Sequence, residues 1–145
     1  MSNKPVVGII LGDPSGIGPE LVTKLLVNQI TDKANCILIG ERSILEDGEK
    51  ISGVKTNLTT VKDFEEIDFN KGSKFFIDIT NGKNRTYKKK IANAESGASV
   101  LEALEYALDL AKEKKIHAIN FGPMNKTSLI LGGCKYNDEH EFMQE

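Results

Sequence analysis

Short apolar runs alternate with amphipathic stretches along this chain of 145 residues. The runs lie at residues 6–11, 36–39, 74–79 and 116–121, each bounded by polar residues or glycine. Runs this short are typical of buried strands. Between the last two of them, apolar residues recur every three or four positions over residues 99–115, which predicts a helix.

The remaining pattern is less uniform. Residues 19–29 predict a helix, and residues 43–46 predict one or two helical turns that end near Gly48. A strand within residues 54–61 and a turn or edge at residues 64–69 are open readings of an ambiguous region. Strands that alternate with helices predict an α/β protein with a three-layer α/β/α fold and a mostly parallel sheet.

Length and composition narrow the class of protein. The chain is sized for one domain. A formal net charge of −2, with six Phe, three Tyr and no Trp, gives no reason to expect a nucleic-acid partner. A basic run at residues 88–90 is expected to be solvated surface. No apolar stretch has the length of a membrane span, and the start shows no signal peptide, so we expect a cytoplasmic protein.

The first predicted strand continues into a glycine-rich turn and then a helix. Residues 12–18 read Gly-Asp-Pro-Ser-Gly-Ile-Gly, and Pro19 suits the first position of the helix. The N–H groups of such a helix start can bind an anion. Within the turn, Asp13 could orient a ligand hydroxyl or a lysine, or it could only bond its own backbone as a turn residue.

Two other segments are expected beside this turn. Asn125 and Lys126 follow the predicted strand at residues 116–121, and Asp138 can cap a helix, with Glu141 completing a box-like pattern. Because ligands collect beyond the carboxyl ends of parallel strands, we predict that these segments converge on one edge of the sheet. Lys126 could pair with a phosphate or carboxylate, or it could be a solvated lysine.

Four segments of the chain resemble the 4-hydroxythreonine-4-phosphate dehydrogenase family. Residues 12–20, Gly-Asp-Pro-Ser-Gly-Ile-Gly-Pro-Glu, resemble the family's N-terminal signature. Residues 94–97 resemble its Ser-Gly-containing helix start, and residues 121–126 resemble a segment that ends in Asn-Lys. Residues 136–145 resemble, with departures, a helix start that contains Gly-His-Thr-Glu. Members are more than twice as long, so the chain matches their N-terminal part.

The resemblance implies an architecture like that of isocitrate and isopropylmalate dehydrogenases, with two α/β/α domains, a site in the cleft between them and a homodimer. It also implies oxidation of a phosphorylated four-carbon hydroxy acid by NAD or NADP, followed by decarboxylation, in vitamin B6 synthesis or on a phosphorylated threonate or erythronate. A divalent metal (Zn, Mg or Co) is implied too. Its ligands, and most contacts to the cofactor, are expected outside this chain.

One departure from the family falls on residues that bind substrate in relatives. Asp138-Glu139-His140-Glu141 stands where the family has Gly-His-Thr-Glu. By this register Glu139 takes the histidine position and His140 the threonine position. Added carboxylates beside a phosphorylated substrate are repulsive, so either the substrate contacts differ or the site is degenerate.

The last predicted helix indicates how much of the domain the sequence covers. The helix that Asp138 is predicted to start has run about two turns when the sequence stops at Glu145, without a terminating signal. We therefore expect residues 1–145 to be the N-terminal part of a larger two-domain enzyme, inactive alone. The alternative is a non-catalytic phosphate-binding module or a decayed remnant. No catalytic residue and no metal ligand is assigned within the chain.

Overall fold

The computed structural model describes residues 3–83 and 85–145, which form one five-stranded sheet with helices on both faces. The strands are β1 (Val6–Ile10), β2 (Asn35–Gly40), β3 (Thr59–Val61), β4 (Lys74–Asp78) and β5 (Ala118–Phe121). The helices are α1 (Gly18–Leu26), α2 (Ile30–Lys33), α3 (Arg42–Ser52), α4 (Ala94–Lys112), α5 (Lys126–Leu131) and α6 (Glu139–Gln144), with a short 3₁₀ turn at Phe64–Glu66.

The strands lie in the order β3-β4-β2-β1-β5, and every neighbouring pair is parallel. In the centre of the sheet, Ile9 of β1 lies opposite Leu38 of β2 and Asn120 of β5. Parallel neighbours need crossover connections, which the intervening helices and loops supply. Their carboxyl ends therefore meet at a single edge of the sheet.

Each face of the sheet has its own apolar core. On β2, Ile37 and Ile39 face the core under α4, whereas Cys36 and Leu38 face the core under α1 and α3, and all four are fully buried. Burial on both faces explains why the strands appear as continuous apolar runs rather than alternating ones. The predicted three-layer α/β/α fold is confirmed.

Two helices differ from their predicted extents. The prediction for residues 43–46 is wrong about length, because α3 passes through Gly48 and ends before Gly53. A Cβ at Gly48 would lie 2.7 Å from the Pro19 carbonyl oxygen, so this glycine allows α1 and α3 to pack closely rather than ending α3. The helix predicted from residue 99 begins at Ala94, where the Asn93 side chain accepts the N–H of Ser96.

At two places along the carboxyl edge, neighbouring strands lead to helices that pack on opposite faces of the sheet. β1 and β2 lead to α1 and α3, which pack on one face of the sheet. β4 and β5 lead to α4 and α5, which pack on the other. Because β1 adjoins β5 and β2 adjoins β4, a crevice can form between each of these pairs.

Candidate functional site

The loop after β1 lies directly against the loop after β5. The N–H of Asp13 donates to the carbonyl oxygen of Pro123 at 2.9 Å. Gly12 has a φ of +83°, and a Cβ there would lie 2.7 Å from the Pro123 carbonyl oxygen, so the contact requires glycine. The predicted convergence of these two loops at the carboxyl edge is confirmed.

Asp13 forms the turn of the first loop and keeps one oxygen unpaired. It is only 3% exposed. Its Oδ1 accepts hydrogen bonds from the backbone N–H of Ser15, at 2.7 Å, and from the Ser15 hydroxyl. Its Oδ2 is buried and has no hydrogen-bond partner within residues 3–83 and 85–145. The turn-forming role is therefore present, and an acceptor remains for a donor such as a hydroxyl.

An open cleft of about 320 Å³ lies between the two loops, at the crevice between β1 and β5. We call it the open crevice. It is lined by Asp13, Ser15, Gly16, Ile17, Lys90, Ile91, Ala92, Pro123, Met124 and Asn125. Ile17 and Ile91 expose 60% and 61% of their surface, which is high for isoleucine. The lining therefore combines apolar walls, a helix start and the charged residues Asp13 and Lys90.

Asn125 and Lys126 occupy different surroundings. Asn125 lines the open crevice and caps α5, since its Oδ1 accepts the N–H of Ser128 at 3.0 Å. This leaves its amide nitrogen to donate. Lys126 is outside the lining, its side chain is 67% exposed, and its Nζ lies 3.9 Å from Oδ2 of Asp138. Of this predicted pair, only Asn125 faces the same cleft as Asp13.

The third predicted segment adjoins β5 without entering the open crevice. Asp138 caps α6 by accepting the N–H groups of His140 and Glu141, and these bonds, that of Glu141 first, lower the pKa of the Asp138 carboxyl. The predicted box is shifted, because Glu141 accepts from the N–H of Asn137, one residue before the cap. The His140 ring packs edge-on against Phe121 at the end of β5.

Glu139 and His140 also belong to a cluster of potential metal ligands that was not predicted from the sequence. Asp138, Glu139 and His140 offer ligand atoms within 4.8 Å of one another, and Glu139 Oε2 is buried without a partner among the residues described. In the sequence, the signal for this cluster is the run of two acidic residues and one histidine. However, Asp138 Oδ1 already caps α6, and within residues 3–83 and 85–145 the group has three members, fewer than a closed tetrahedral or octahedral set of ligands needs.

Side chains bonded to Glu41 occupy the crevice between β2 and β4, which we call the filled crevice. On their outer side, Arg85 and Tyr87 line a separate open cleft of about 260 Å³. Glu41, 1% exposed, accepts hydrogen bonds from the hydroxyls of Ser99, at 2.7 Å, and Tyr87. Arg85 lies 3.3 Å from Glu41 Oε1 and donates twice to Glu102. Burial, followed by the bond to Glu41, raises the pKa of Tyr87 to about 12, and the bonds from Arg85 lower the pKa of Glu102.

Lys90 is a lining residue that the sequence did not single out. The basic run at residues 88–90 is exposed, as predicted, and the N–H of Lys90 also donates to the Ser15 carbonyl oxygen at 2.8 Å. This bond brings Lys90 to the open crevice from a part of the chain remote from both loops. No local pattern in the sequence carries that information.

The fold and the open crevice together define an α/β protein with an open cleft at the carboxyl edge of a parallel sheet, which is where proteins of this class hold their ligands. Residues 32–145 match the model of the family described as pyridoxal phosphate biosynthetic protein PdxA. The chain belongs to this family. The resemblance to 4-hydroxythreonine-4-phosphate dehydrogenases is thereby confirmed, since relatives carry that name.

Individual relatives share both sequence and structure with the chain. A Pasteurella multocida protein, provisionally named a 4-hydroxythreonine-4-phosphate dehydrogenase, is 36% identical over 98% of this chain and 43% of its own length. A Clostridium botulinum protein, provisionally named a D-threonate 4-phosphate dehydrogenase, is 32% identical over 100% of this chain and 44% of its own. The crystal structure of a 4-hydroxythreonine-4-phosphate dehydrogenase from Burkholderia phymatum superposes with a TM-score of 0.84 at 29% identity, over 98% of this chain and 43% of that one.

The chain thus spans less than half the length of the relatives that it matches. These relatives are dehydrogenases by name, which places the chain in a family of oxidoreductases. In the part of the chain that the structure describes, no helix is both long and apolar enough to cross a membrane.

Proposed function

We propose that this chain is the N-terminal part of a two-domain, NAD- or NADP-dependent dehydrogenase. Its substrate is a phosphorylated four-carbon hydroxy acid such as 4-phosphohydroxythreonine, which is oxidised and then decarboxylated. Membership of the PdxA family and the names of the relatives support this proposal. The complete protein is proposed to be a cytoplasmic homodimer that acts in vitamin B6 synthesis.

The reaction fixes what the protein must supply. A secondary alcohol becomes a ketone as hydride leaves carbon for the nicotinamide ring and the hydroxyl proton leaves for a base; the resulting β-keto acid loses CO₂. A divalent metal, when bound, would polarise the oxygen of the alcohol and of the ketone. We propose that its ligands, and most of the residues that hold the cofactor, lie outside these residues. This chain then contributes substrate positioning.

The observation that carries the proposal is the bond from Asp13 to Pro123, which holds together the loops of β1 and β5 that border the open crevice. We propose that Asp13 Oδ2 accepts from a substrate hydroxyl and that the amide nitrogen of Asn125 donates to a carboxylate or phosphate. We propose Asp13, Asn125, Lys126, Glu139 and His140 as substrate-binding residues.

Glu139 and His140 are proposed to set the choice among phosphorylated acids. They hold the register at which relatives bind substrate, but a carboxylate replaces an imidazole and an imidazole replaces a hydroxyl. A carboxylate accepts from amino or hydroxyl groups and repels phosphate, so the preferred acid should differ. Both 4-phosphohydroxythreonine and phosphorylated D-threonate remain candidate substrates, because relatives of both names match the chain.

The proposal is tested by following NAD⁺ and NADP⁺ reduction by the complete protein with each of these two acids, with and without a chelator. We expect turnover of at least one acid, lost on chelation, and none from residues 1–145 alone. Absence of turnover by the complete protein would favour the alternative, a phosphate-binding module or a decayed remnant. Turnover by residues 1–145 alone would contradict the division of labour proposed here.

Substrate choice is tested in the complete protein by the double change Glu139→His with His140→Thr, which restores the family pattern. If these residues touch substrate, kcat/KM for one acid relative to the other should change about tenfold or more, because a hydrogen bond to a charged group contributes roughly 1.5–3 kcal/mol. An equal change for both acids, or none, would mean that the two residues only begin α6.

A further inference from the structure

We propose that Lys90 is the cation through which the open crevice binds a phosphoryl group. The inference rests on the proposed function, which supplies a phosphorylated ligand, and it adds a residue that neither the sequence pattern nor the family resemblance selected. It is carried by the placement of Lys90, by the charges around the crevice and by the unpaired oxygen of Asp13.

The segment around Lys90 is tied to the loop after β1 and to helix α5. The Lys90 N–H donates to the Ser15 carbonyl oxygen at 2.8 Å, and the Lys89 ammonium donates to the Pro14 carbonyl oxygen, also at 2.8 Å. On the opposite side, the N–H of Asn93 donates to the Ser128 hydroxyl at 3.1 Å. Residues 89–93 therefore connect the loop after β1 to helix α5, and Lys90 lines the open crevice between them.

Lys90 carries the uncompensated positive charge of the crevice. Within residues 3–83 and 85–145 its ammonium makes no ion pair, whereas Lys89 pairs with Asp47 and Lys126 lies 3.9 Å from Asp138. The other charged lining residue, Asp13, is 3% exposed and bonded through Oδ1 to Ser15. The accessible charge at this crevice is therefore positive.

Two further features match a phosphorylated ligand rather than a bare anion. Ile17, the N-cap residue of the nine-residue helix α1, lines the crevice, and backbone N–H groups at such a helix start can donate to phosphoryl oxygens, although Pro19 in the first turn has none. The buried Oδ2 of Asp13 requires a donor and would repel a phosphate, so it suits a hydroxyl. A phosphoryl group and a hydroxyl in one ligand satisfy both.

The backbone at Lys90 provides a way to test its charge without changing its geometry. Lys90 has a φ of +62°, a left-handed conformation that is costly for most side chains but tolerated by asparagine. Lys90→Asn therefore removes the ammonium and keeps a residue suited to the turn. Lys88→Asn removes the same net charge from an exposed residue outside the lining, and serves as the matched control.

Two sources could supply the phosphoryl group, the phosphorylated hydroxy acid and the diphosphate of a dinucleotide. Titration calorimetry of the 145-residue chain with inorganic phosphate, 4-phosphohydroxythreonine and NAD⁺ separates them. We expect Lys90→Asn to raise the Kd of phosphate, and of the ligand whose phosphoryl group sits there, about tenfold or more. Lys90→Arg should retain most of the affinity, and Lys88→Asn should stay within about twofold of the unchanged chain.

The identity of the affected ligand assigns the source, and either assignment supports the proposal. It is overturned if none of the three ligands binds the unchanged chain, or if Lys90→Asn and Lys88→Asn weaken binding equally. Thermal unfolding of each variant checks that the fold is kept. If the complete protein turns over substrate but its Kd for phosphate does not depend on Lys90, only this inference is refuted. If phosphate binding depends on Lys90 but the complete protein shows no turnover, only the proposed dehydrogenase is refuted.

Discussion

The crevice between β2 and β4 is filled by a bonded network, whereas the crevice between β1 and β5 is open. Both lie at the carboxyl edge of one parallel sheet, and both lie where connections leave for opposite faces. In the filled crevice, Glu41 is satisfied by Ser99, Tyr87 and Arg85. In the open crevice, Asp13 has an oxygen without a hydrogen-bond partner and Lys90 an ammonium without an ion pair, among the residues that the structure describes.

The difference shows that topology places polar residues at an edge but does not decide what they do. The loop that follows β4 sends Arg85 and Tyr87 into one crevice, and then passes along the lip of the other at Lys90. A satisfied buried network stabilises and specifies the fold, whereas unpaired groups at a cleft are available to a ligand. Mutations in the two crevices should therefore have different consequences.

The largest stability effect is expected from Glu41→Ala in the filled crevice. The change leaves two hydroxyls without their buried acceptor and removes one of the two carboxylates that pair with Arg85. Losses of about 1–3 kcal/mol for each buried group left unsatisfied add to about 3–5 kcal/mol. Chemical denaturation measures the free energy of unfolding. Glu46→Ala, an exposed change on the same helix, is the control and should cost less than about 0.5 kcal/mol. A cost below about 1 kcal/mol for Glu41→Ala would contradict the assignment of Glu41 as the centre of this network.

In the open crevice, Gly12→Ala should cost about 2–4 kcal/mol in unfolding free energy. Alanine is strained at the positive φ of this position, and its Cβ would also collide with Gly122 and Pro123. Gly53→Ala separates the two causes, because Gly53 also has a positive φ, of +73°, but nothing lies within 4 Å of its added Cβ. Equal costs at the two glycines would mean that the contact between the loops of β1 and β5 is not tight.

A smaller, pH-dependent effect is expected from Tyr87. Its pKa is raised from 10.0 to about 12, first by burial and then by Glu41, so folding favours the neutral phenol. The stabilisation is complete below pH 10, the value for the unfolded chain, and is lost as pH rises towards about 12. Because Tyr87 is partly exposed, we expect a loss of about 1 kcal/mol over this range. Tyr87→Phe should flatten the slope of unfolding free energy against pH, and an unchanged slope would show that Tyr87 does not titrate with folding.

Much of the fold follows from the sequence, because its cause is local or repeated. The runs at residues 36–39 and 74–79 become β2 and β4 because both faces of those strands are buried. The loop at residues 12–18 is predicted by its strand-glycine-helix order. The length of α3 is not, because Gly48 looks like a terminator until Pro19 is known to pack against it.

The residues of the site are predictable from the sequence only where they directly follow the end of a strand. That rule brings Asp13 and Asn125 together, but it cannot tell that Lys126 points towards Asp138 and away from the lining. Lys90 is missed because its placement depends on a bond to Ser15 across a long stretch of chain. Glu41 is missed because a carboxylate after a strand looks like any solvated helix start until Tyr87 and Ser99 enclose it.

The central claim is that the open crevice, and not the filled one, holds the phosphorylated ligand. The most direct measurement is a titration of the isotope-labelled chain with 4-phosphohydroxythreonine, followed at each assigned backbone amide by NMR. We predict shifts concentrated at residues 13–18, 90–92 and 124–126, which line or border the open crevice, and at Glu139 and His140, with the amides of Arg85 and Ser99 unchanged. Shifts centred on Arg85 and Ser99, or spread evenly over the surface, would contradict the claim.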